Sequence, residues 1–319
     1  MADNQKFSNR VFGAAIVKAI NSNYNADFSG QPRTLPDGTV YATDKAFKYT
    51  LRNYLKDVFP EDYVFFFRRL DEHLNPYTLE EAFKAKLGEK KQFDAKSKES
   101  KQEALDELLK CIDIRLFGAT FAMKAKGGNI ALSLHGPVQV NHGMNIWHEN
   151  NIYSEQILSP FRNPKEQESE EKETGQTTIG RQSKLHEGHY LHHFSINPKN
   201  LEEYLGKTSE QLTKKDINKL KEAMQRGATY YDSTSKSGTE NELLVWVQLN
   251  QDSKLVLPNF SQLIKLKEEK QDGKVVADFS ELNDLLKKYQ DEIEQVEIFK
   301  NPGSITVEKE PEFSELKEF

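Results

Sequence analysis

Asp113-Ile-Arg-Leu-Phe-Gly-Ala119 and Gly136-Pro-Val-Gln-Val-Asn-His142 are the two stretches on which the reading of this chain turns. Neither holds a catalytic signature, yet both are too particular for packing alone. Asp113 stands where a helix N-cap belongs, and the helix it would open runs to about Lys124 and stops at Gly127-Gly128. The second stretch lies within residues 130–148, which carry few helix signals and read as strand or loop.

Working outward, residues 11–20 form a short apolar run and read as a buried first strand. Residues 21–38 are a loop rich in Asn, Gly, Pro and Asp. Thr43 caps a helix to about Val58, which Pro60 ends. Residues 62–110 read as mainly helical and highly charged, with a polar break at 88–100. Residues 153–187 are a long polar connection, of a length that inside a domain usually marks a projection. Strands at 189–196 and 242–249, helices at 214–226 and 279–288 and a short strand at 296–299 follow. This order predicts an α+β fold built on a ferredoxin-like (RRM) sheet with large insertions.

With 319 residues the chain can bury a sizeable core. Its 36% hydrophobic and 29% charged content, with mean hydropathy −0.75, leaves much of it as surface, loop or contact region. The longest apolar run contains Lys18 and is too short to span a bilayer, and nothing before it reads as a signal peptide. The chain is therefore expected to have no membrane partner. Cys111 is the only cysteine, which excludes an internal disulfide framework and fits a reducing cytoplasm. The net charge of −6 argues against nucleic acid in bulk, but residues 31–56 carry five Lys/Arg against two Asp. Residues 164–173 and the tail from Glu308 are acidic.

The first helix gives the cleanest physical argument. At about 100° per residue, Lys45, Lys48, Arg52 and Lys56 fall within roughly an 80° arc. Phe47, Leu51, Tyr54, Leu55 and Val58 lie opposite, so one face packs and the other offers cations one turn apart. Such a row follows a phosphate backbone, or is simply a solvated face. The loop Asn21-Ser-Asn-Tyr-Asn-Ala-Asp27 offers amides for phosphate and sugar. Ser233-Thr-Ser-Lys-Ser-Gly-Thr-Glu-Asn241 has hydroxyls around Lys236 and backbone N–H groups suited to an anion, without the spacing of a nucleotide P-loop. Among the histidines at 186, 189, 192 and 193, strand alternation sends His192 and His193 to opposite faces, which disfavours a shared metal. No Gly-x-Ser-x-Gly is present, and no cofactor is implied.

Four islands between about Val11 and Leu249 resemble the backbone subunit of type I CRISPR surveillance complexes (Cascade), and together look like the I-B branch. They are the first strand with its Asn-rich loop and Arg33, then Thr-Asp-Lys-Ala-Phe-Lys-Tyr-Thr-Leu-Arg at 43–52, the two opening stretches together, and residues 233–249. Residues 62–110 and the last seventy carry little of the likeness.

The resemblance implies a modified ferredoxin-like (RRM) palm with a helical fingers insertion and an extended thumb. Residues 1–61 would begin the palm, 62–110 form the fingers, 111–152 continue both, 153–187 form the thumb, and 188–319 complete the palm with an acidic tail. It implies a non-enzymatic protein that polymerises head to tail with copies of itself along CRISPR RNA, beside other Cascade subunits. Each thumb would displace guide bases so that the rest pair with target DNA in antiviral defence. The implied RNA contacts are Asn21, Asn23, Arg33, Lys45, Lys48, Arg52, Arg115, His142, Met144, Ser235, Lys236 and Ser237. Tyr49 departs from relatives that carry a further basic residue there. Asp113 is expected to cap its helix and pair with Arg115 or a neighbour, while Arg115 is open between that role and a guide or protomer contact. The alternative reading is a type III-like metal-dependent target-RNA endonuclease using Asp27.

Overall fold

Val11–Ser22 (β1) is apolar on both faces because both faces are covered. The computed structural model describes residues 5–88, 92–158, 178–204, 208 and 210–319. After β1 come β2 (Tyr41–Ala42), α1 (Asp44–Val58), α2 (Leu79–Leu87), α3 (Lys98–Leu109) and α4 (Ile112–Phe117). Strands β3 (Gly118–Ala125), β4 (Gly128–His135), β5 (Val138–Val140), β6 (Gly143–Asn145), β7 (Ile152–Leu158) and β8 (Thr178–Ile196) follow. The remainder comprises α5 (Lys199–Glu202), α6 (Lys214–Tyr230), β9 (Thr239–Leu249), β10 (Lys265–Leu266), β11 (Val275–Asp278), α7 (Ser280–Lys288), β12 (Ile293–Lys300), β13 (Ile305–Glu308) and β14 (Ser314–Glu318).

The central sheet runs β14-β12-β9-β1-β8-β6-β2, with β5 and β7 also paired to β8. β1 is antiparallel to both β8 and β9, and β6 is antiparallel to β8. It follows that β1-α1-β6 is a split β-α-β unit with β8 in its gap, and β8-α6-β9 a second with β1 in its gap. Alternation along β1 then sorts its side chains. Val11, Ala15, Val17 and Ala19 join Phe47, Leu51, Leu55, Leu220 and Met224 beneath α1 and α6. Phe12, Ala14 and Ile16 join Phe260, Phe279, Leu282 and Leu286 on the other side, where α7 and the small sheet β10-β11-β13 close the layer. Each large apolar side chain so buried contributes about 1.5–3 kcal/mol.

Two expectations need correction. The helix predicted from Asp113 to about Lys124 ends at Phe117, and Gly118–Ala125 is a strand paired with β4. The alternation there is two-fold: Phe121 and Met123 are buried while Thr120, Ala122 and Lys124 are exposed. Residues 62–78 form turns rather than helix, so the helical content of 62–110 is confined to α2 and α3. The acidic tail forms the edge of the central sheet, where β14 pairs in parallel with β12 and Lys317 reaches Glu297 at 2.8 Å. The polar connection at 153–187 begins and ends as the ribbon β7–β8; its middle, including the acidic residues 164–173, lies outside the described residues. Among the described residues no helix is long and apolar enough to cross a membrane.

The two opening stretches meet at their glycines. Gly118 has φ +74°, and a Cβ there would stand 2.1 Å from the Leu134 carbonyl and 2.4 Å from the Gly136 nitrogen. A Cβ on Gly136 would stand 2.1 Å from the Phe117 carbonyl carbon. Two backbones cross here in the space that side chains would need.

Candidate nucleic-acid interface

Thr43 caps α1 as predicted, its hydroxyl accepting from the Ala46 amide at 3.2 Å. The same hydroxyl and the Thr43 amide donate to Asn25 Oδ1 at 3.0 and 2.9 Å, fixing the Asn-rich loop to the helix start. The cation row, however, is not an open face. Phe66, Phe67 and Phe117 lie over it, with Arg52 5.0 Å from the Phe117 ring centroid and Lys56 4.3 Å from that of Phe67. Lys48 is held 3.3 Å from Asp44, and burial lowers its pKa against the opposing pull of that carboxylate. Lys56 pairs with Asp57 at 2.7 Å. Lys45 is exposed and makes no ion pair among the described residues.

Asp113 does not cap its helix. It is fully buried and acts as a clasp: Oδ1 accepts from the Phe65 amide at 2.7 Å, and Oδ2 from the Phe66 amide at 2.9 Å and from Arg52 Nε at 3.1 Å. Binding through Nε leaves the terminal nitrogens of Arg52 without a protein partner among the described residues, so the guanidinium keeps a free edge.

Arg115, named among the RNA contacts, is instead turned into the protein. It holds Asp216 through Nη2 at 2.8 Å and Nε at 3.3 Å, and donates from Nη1 to the Leu109 carbonyl at 2.9 Å. Asp216 in turn closes the capping box of α6 with Thr213.

The Asn loop and the Ser-Lys loop come together. The Asn23 amide donates to the Ser235 carbonyl at 2.7 Å, and the Ile20 amide to the Gly238 carbonyl at 2.9 Å. Lys236 does not project into solvent: its Nζ donates to the Tyr24 carbonyl beside that ring, and burial pulls its pKa down to about 8. The anion nest is also partly spent, because the amides of Lys236 and Ser237 donate to Ser233 and that of Thr239 to Lys236. Ser235 is half-buried and Ser237 exposed. Asn21 is exposed at φ 46° and accepts from the Tyr153 hydroxyl at 3.1 Å. Asn23 is buried, donating to the Gly30 and Ser183 carbonyls, and its Oδ1 has no partner among the described residues. Arg33 is half-buried, and its Nε has no partner among the described residues.

His142 sits at the start of α1. Its Nδ1 accepts from the Asp44 amide at 3.3 Å and its ring stacks on Tyr41 at 5.6 Å between centroids. Met144 is half-buried on β6, paired with Tyr41 on β2. Tyr41 was missed by the sequence reading; only its place two residues before a helix cap hinted at it.

His192 and His193 do face opposite sides. His192 is buried against Phe47 and Tyr24, and His193 accepts from the Phe260 amide; burial pulls both down to about 4. His189 lies between Glu242 at 2.5 Å and Glu187 at 3.2 Å. Burial there opposes the charge, but the carboxylates prevail and its pKa rises. Asp27 Oδ1 accepts from Ser29 Oγ and the amides of Ser29 and Gln31, which lowers its pKa and devotes that oxygen to its own turn.

The geometry defines an α+β sheet protein whose loops and first helix converge around a cluster of amides and cations. The chain belongs to the family of the CRISPR-associated protein Cas7, whose family model matches residues 9–286. No curated protein matches it. Among solved structures, a chain of a CRISPR RNA-guided surveillance complex is similar at 15% identity and TM-score 0.50, covering 96% of this chain and 94% of that one. A chain of a pre-nicking CRISPR RNA-guided surveillance complex is similar at 13% identity and TM-score 0.56, covering 97% and 96%.

Proposed function

We propose that this chain is a guide-RNA-binding backbone subunit of a type I CRISPR surveillance complex, polymerising along CRISPR RNA and presenting it for pairing with target DNA in cytoplasmic antiviral defence. The observation that carries the reading is that the islands, far apart in sequence, touch in series. Ser235 holds Asn23, Asn25 holds Thr43, Asp44 holds His142, and Arg52 holds Asp113. A continuous line of amides, hydroxyls and cations suits a ribose-phosphate backbone, leaving sequence to be read by base pairing.

In this reading the central sheet with α1 and α6 is the ferredoxin-like palm. Residues 62–110 with the β3–β4 hairpin are the fingers, and the β7–β8 ribbon is the described part of the thumb assigned to 153–187. The I-B assignment rests on the four sequence islands. The site comprises Asn21, Asn23, Arg33, Lys45, Lys48, Arg52, His142, Met144, Ser235, Lys236 and Ser237, with Arg115 reassigned to the scaffold. The chain acts without chemistry of its own. Metal-dependent cutting of bound complementary RNA, abolished by Asp27→Ala, would replace this reading with the endonuclease one.

The test is Lys45→Ala with Lys48→Ala. RNA retention should weaken about equally for all sequences, with the salt slope reduced by about 1–2. Loss confined to particular sequences, or none, would count against backbone contact.

A further inference from the structure

Residues 25–33 and 69–77 share a backbone design without sharing a sequence. In the first, the Asp27 amide donates to the Gln31 carbonyl and the Gly30 amide to the Asp27 carbonyl, while Asp27 Oδ1 accepts from the amides of Ser29 and Gln31. In the second, the Asp71 amide donates to the Asn75 carbonyl and the Leu74 amide to the Asp71 carbonyl, while Asp71 Oδ1 accepts from the amides of His73 and Asn75. Proline follows each turn, and an antiparallel bridge closes each at the same place, Ala26 with Pro32 and Leu70 with Pro76. Arg33 bonds back to Asn25 as Tyr77 does to Arg69.

Each turn holds one large apolar side chain out of the protein. Phe28 is 105% exposed and Leu74 is 74% exposed. Leu74 is the more telling. It has φ +63° at the position that Gly30 fills in the twin turn at φ +82°. A bulky side chain is disfavoured in that region and glycine is not. The second turn thus carries a leucine where backbone conformation favours glycine and where solvent favours a polar residue. Folding stability gains nothing from it. A rigid turn that presents an apolar tip loses little freedom on docking, which is the property of an interface anchor.

The same chain offers a matching receptor. Between α1 and α6 lies a cavity of about 640 Å³ whose walls include Tyr54, Val58, Tyr230 and Phe319, with Arg226 at its edge. Val58 and Tyr230 are exposed there, and Arg226 is open to solvent beside Glu222. The turns place carboxylates, Asp27 and the Asp71-Glu72 pair, next to their apolar tips, where they compete for Arg226 with its weak exposed pair to Glu222 at 3.5 Å. Anchor and receptor share no residue, so joining them between copies is heterologous and propagates rather than closing a two-fold pair.

We propose that the twin turns are anchors by which one copy of this chain grips the next, with Phe28 seated in the cavity between α1 and α6 of its neighbour and Leu74 covered by the same class of contact. The inference rests on the backbone-subunit reading and deepens it by naming an interface.

The test compares wild type, Phe28→Ala, Leu74→Gly and Tyr230→Glu on a long guide RNA and on an RNA too short for two copies, by mass photometry and filter binding. Each variant should need at least tenfold more protein to form multimers on the long RNA, with short-RNA affinity unchanged. Leu74→Gly should do so with a Tm at or above wild type, which separates lost docking from lost folding. Phe28→Ala mixed with Tyr230→Glu should give a discrete dimer, since each retains the surface the other lacks. Wild-type-like assembly by Phe28→Ala or Leu74→Gly, or a mixture that stays monomeric, overturns the proposal. Normal self-assembly with loss of another subunit from the purified complex overturns the second copy as occupant. If wild type binds neither RNA, the backbone-subunit reading falls as well; if it assembles and the variants match it, only the anchors fall.

Discussion

Arg52 and Arg115 meet the same kind of partner and end with different capacities. Each binds a buried aspartate, 61 residues away for Arg52 and 101 for Arg115. Asp113 takes Arg52 side-on through Nε and spends its other lone pairs on two amides, leaving the terminal nitrogens of the guanidinium without a hydrogen-bond partner among the described residues. Asp216 takes Arg115 by Nε and Nη2 while a carbonyl takes Nη1, and little of that group remains for anything else. A buried arginine–carboxylate pair is thus neither functional nor structural by type. What decides is which nitrogens the carboxylate leaves free.

That contrast can be broken most sharply at Arg115. Arg115→Ala strands Asp216 in a buried site and should cost about 3–5 kcal/mol in chemical denaturation. The fraction that remains folded should bind RNA with wild-type affinity, and a selective loss of affinity would return Arg115 to the interface. Asp113→Asn should cost less, about 2 kcal/mol, because one acceptor survives while an amide donor is turned against other donors. It should also weaken RNA binding at unchanged salt, since Arg52 loses the partner that orients it; stability loss without weaker binding would make the clasp purely structural.

The smallest effect extends the contrast to Lys236, a half-buried cation with no carboxylate partner among the described residues. Its pKa in the folded protein is about 8, below the ordinary lysine value of 10.5. Because the unfolded chain holds the proton more tightly, stability should rise as pH climbs from about 8 towards 10.5. RNA binding should fall over the lower part of that range as the charge is lost. Lys236→Arg should flatten the binding curve, and a wild-type curve already flat from pH 7 to 9 would remove Lys236 from the interface.

Legibility in the sequence followed locality. Thr43, the apolar spacing through Leu55 and the Pro60 stop made α1 readable to within a residue, because cap and periodicity lie within one helix. β1 and β9 were readable as largely apolar runs between turn residues. The 113–124 segment misled because Ile114, Phe117 and Phe121 fit helical spacing, whereas Gly118 ends the helix through a backbone crossing set by Gly136. The family islands converge in the fold, but an amphipathic wheel could not show that Phe66, Phe67 and Phe117 cover the cation row. Nor could it show that Lys236 turns inward beneath Tyr24. Those facts depend on chain segments that only tertiary folding brings together.

The crossing of Gly118 and Gly136 has a genetic consequence. Each glycine's missing side chain is occupied by the other's backbone, so the two positions report on one contact rather than two. Enlarging either residue already forces the strands apart, and enlarging both adds little further separation. Alanine at the two sites should therefore show strong positive epistasis, with the double replacement scarcely worse than the more damaging single one. Neither lesion is open to rescue by trimming a neighbouring side chain, because what it strikes is main chain.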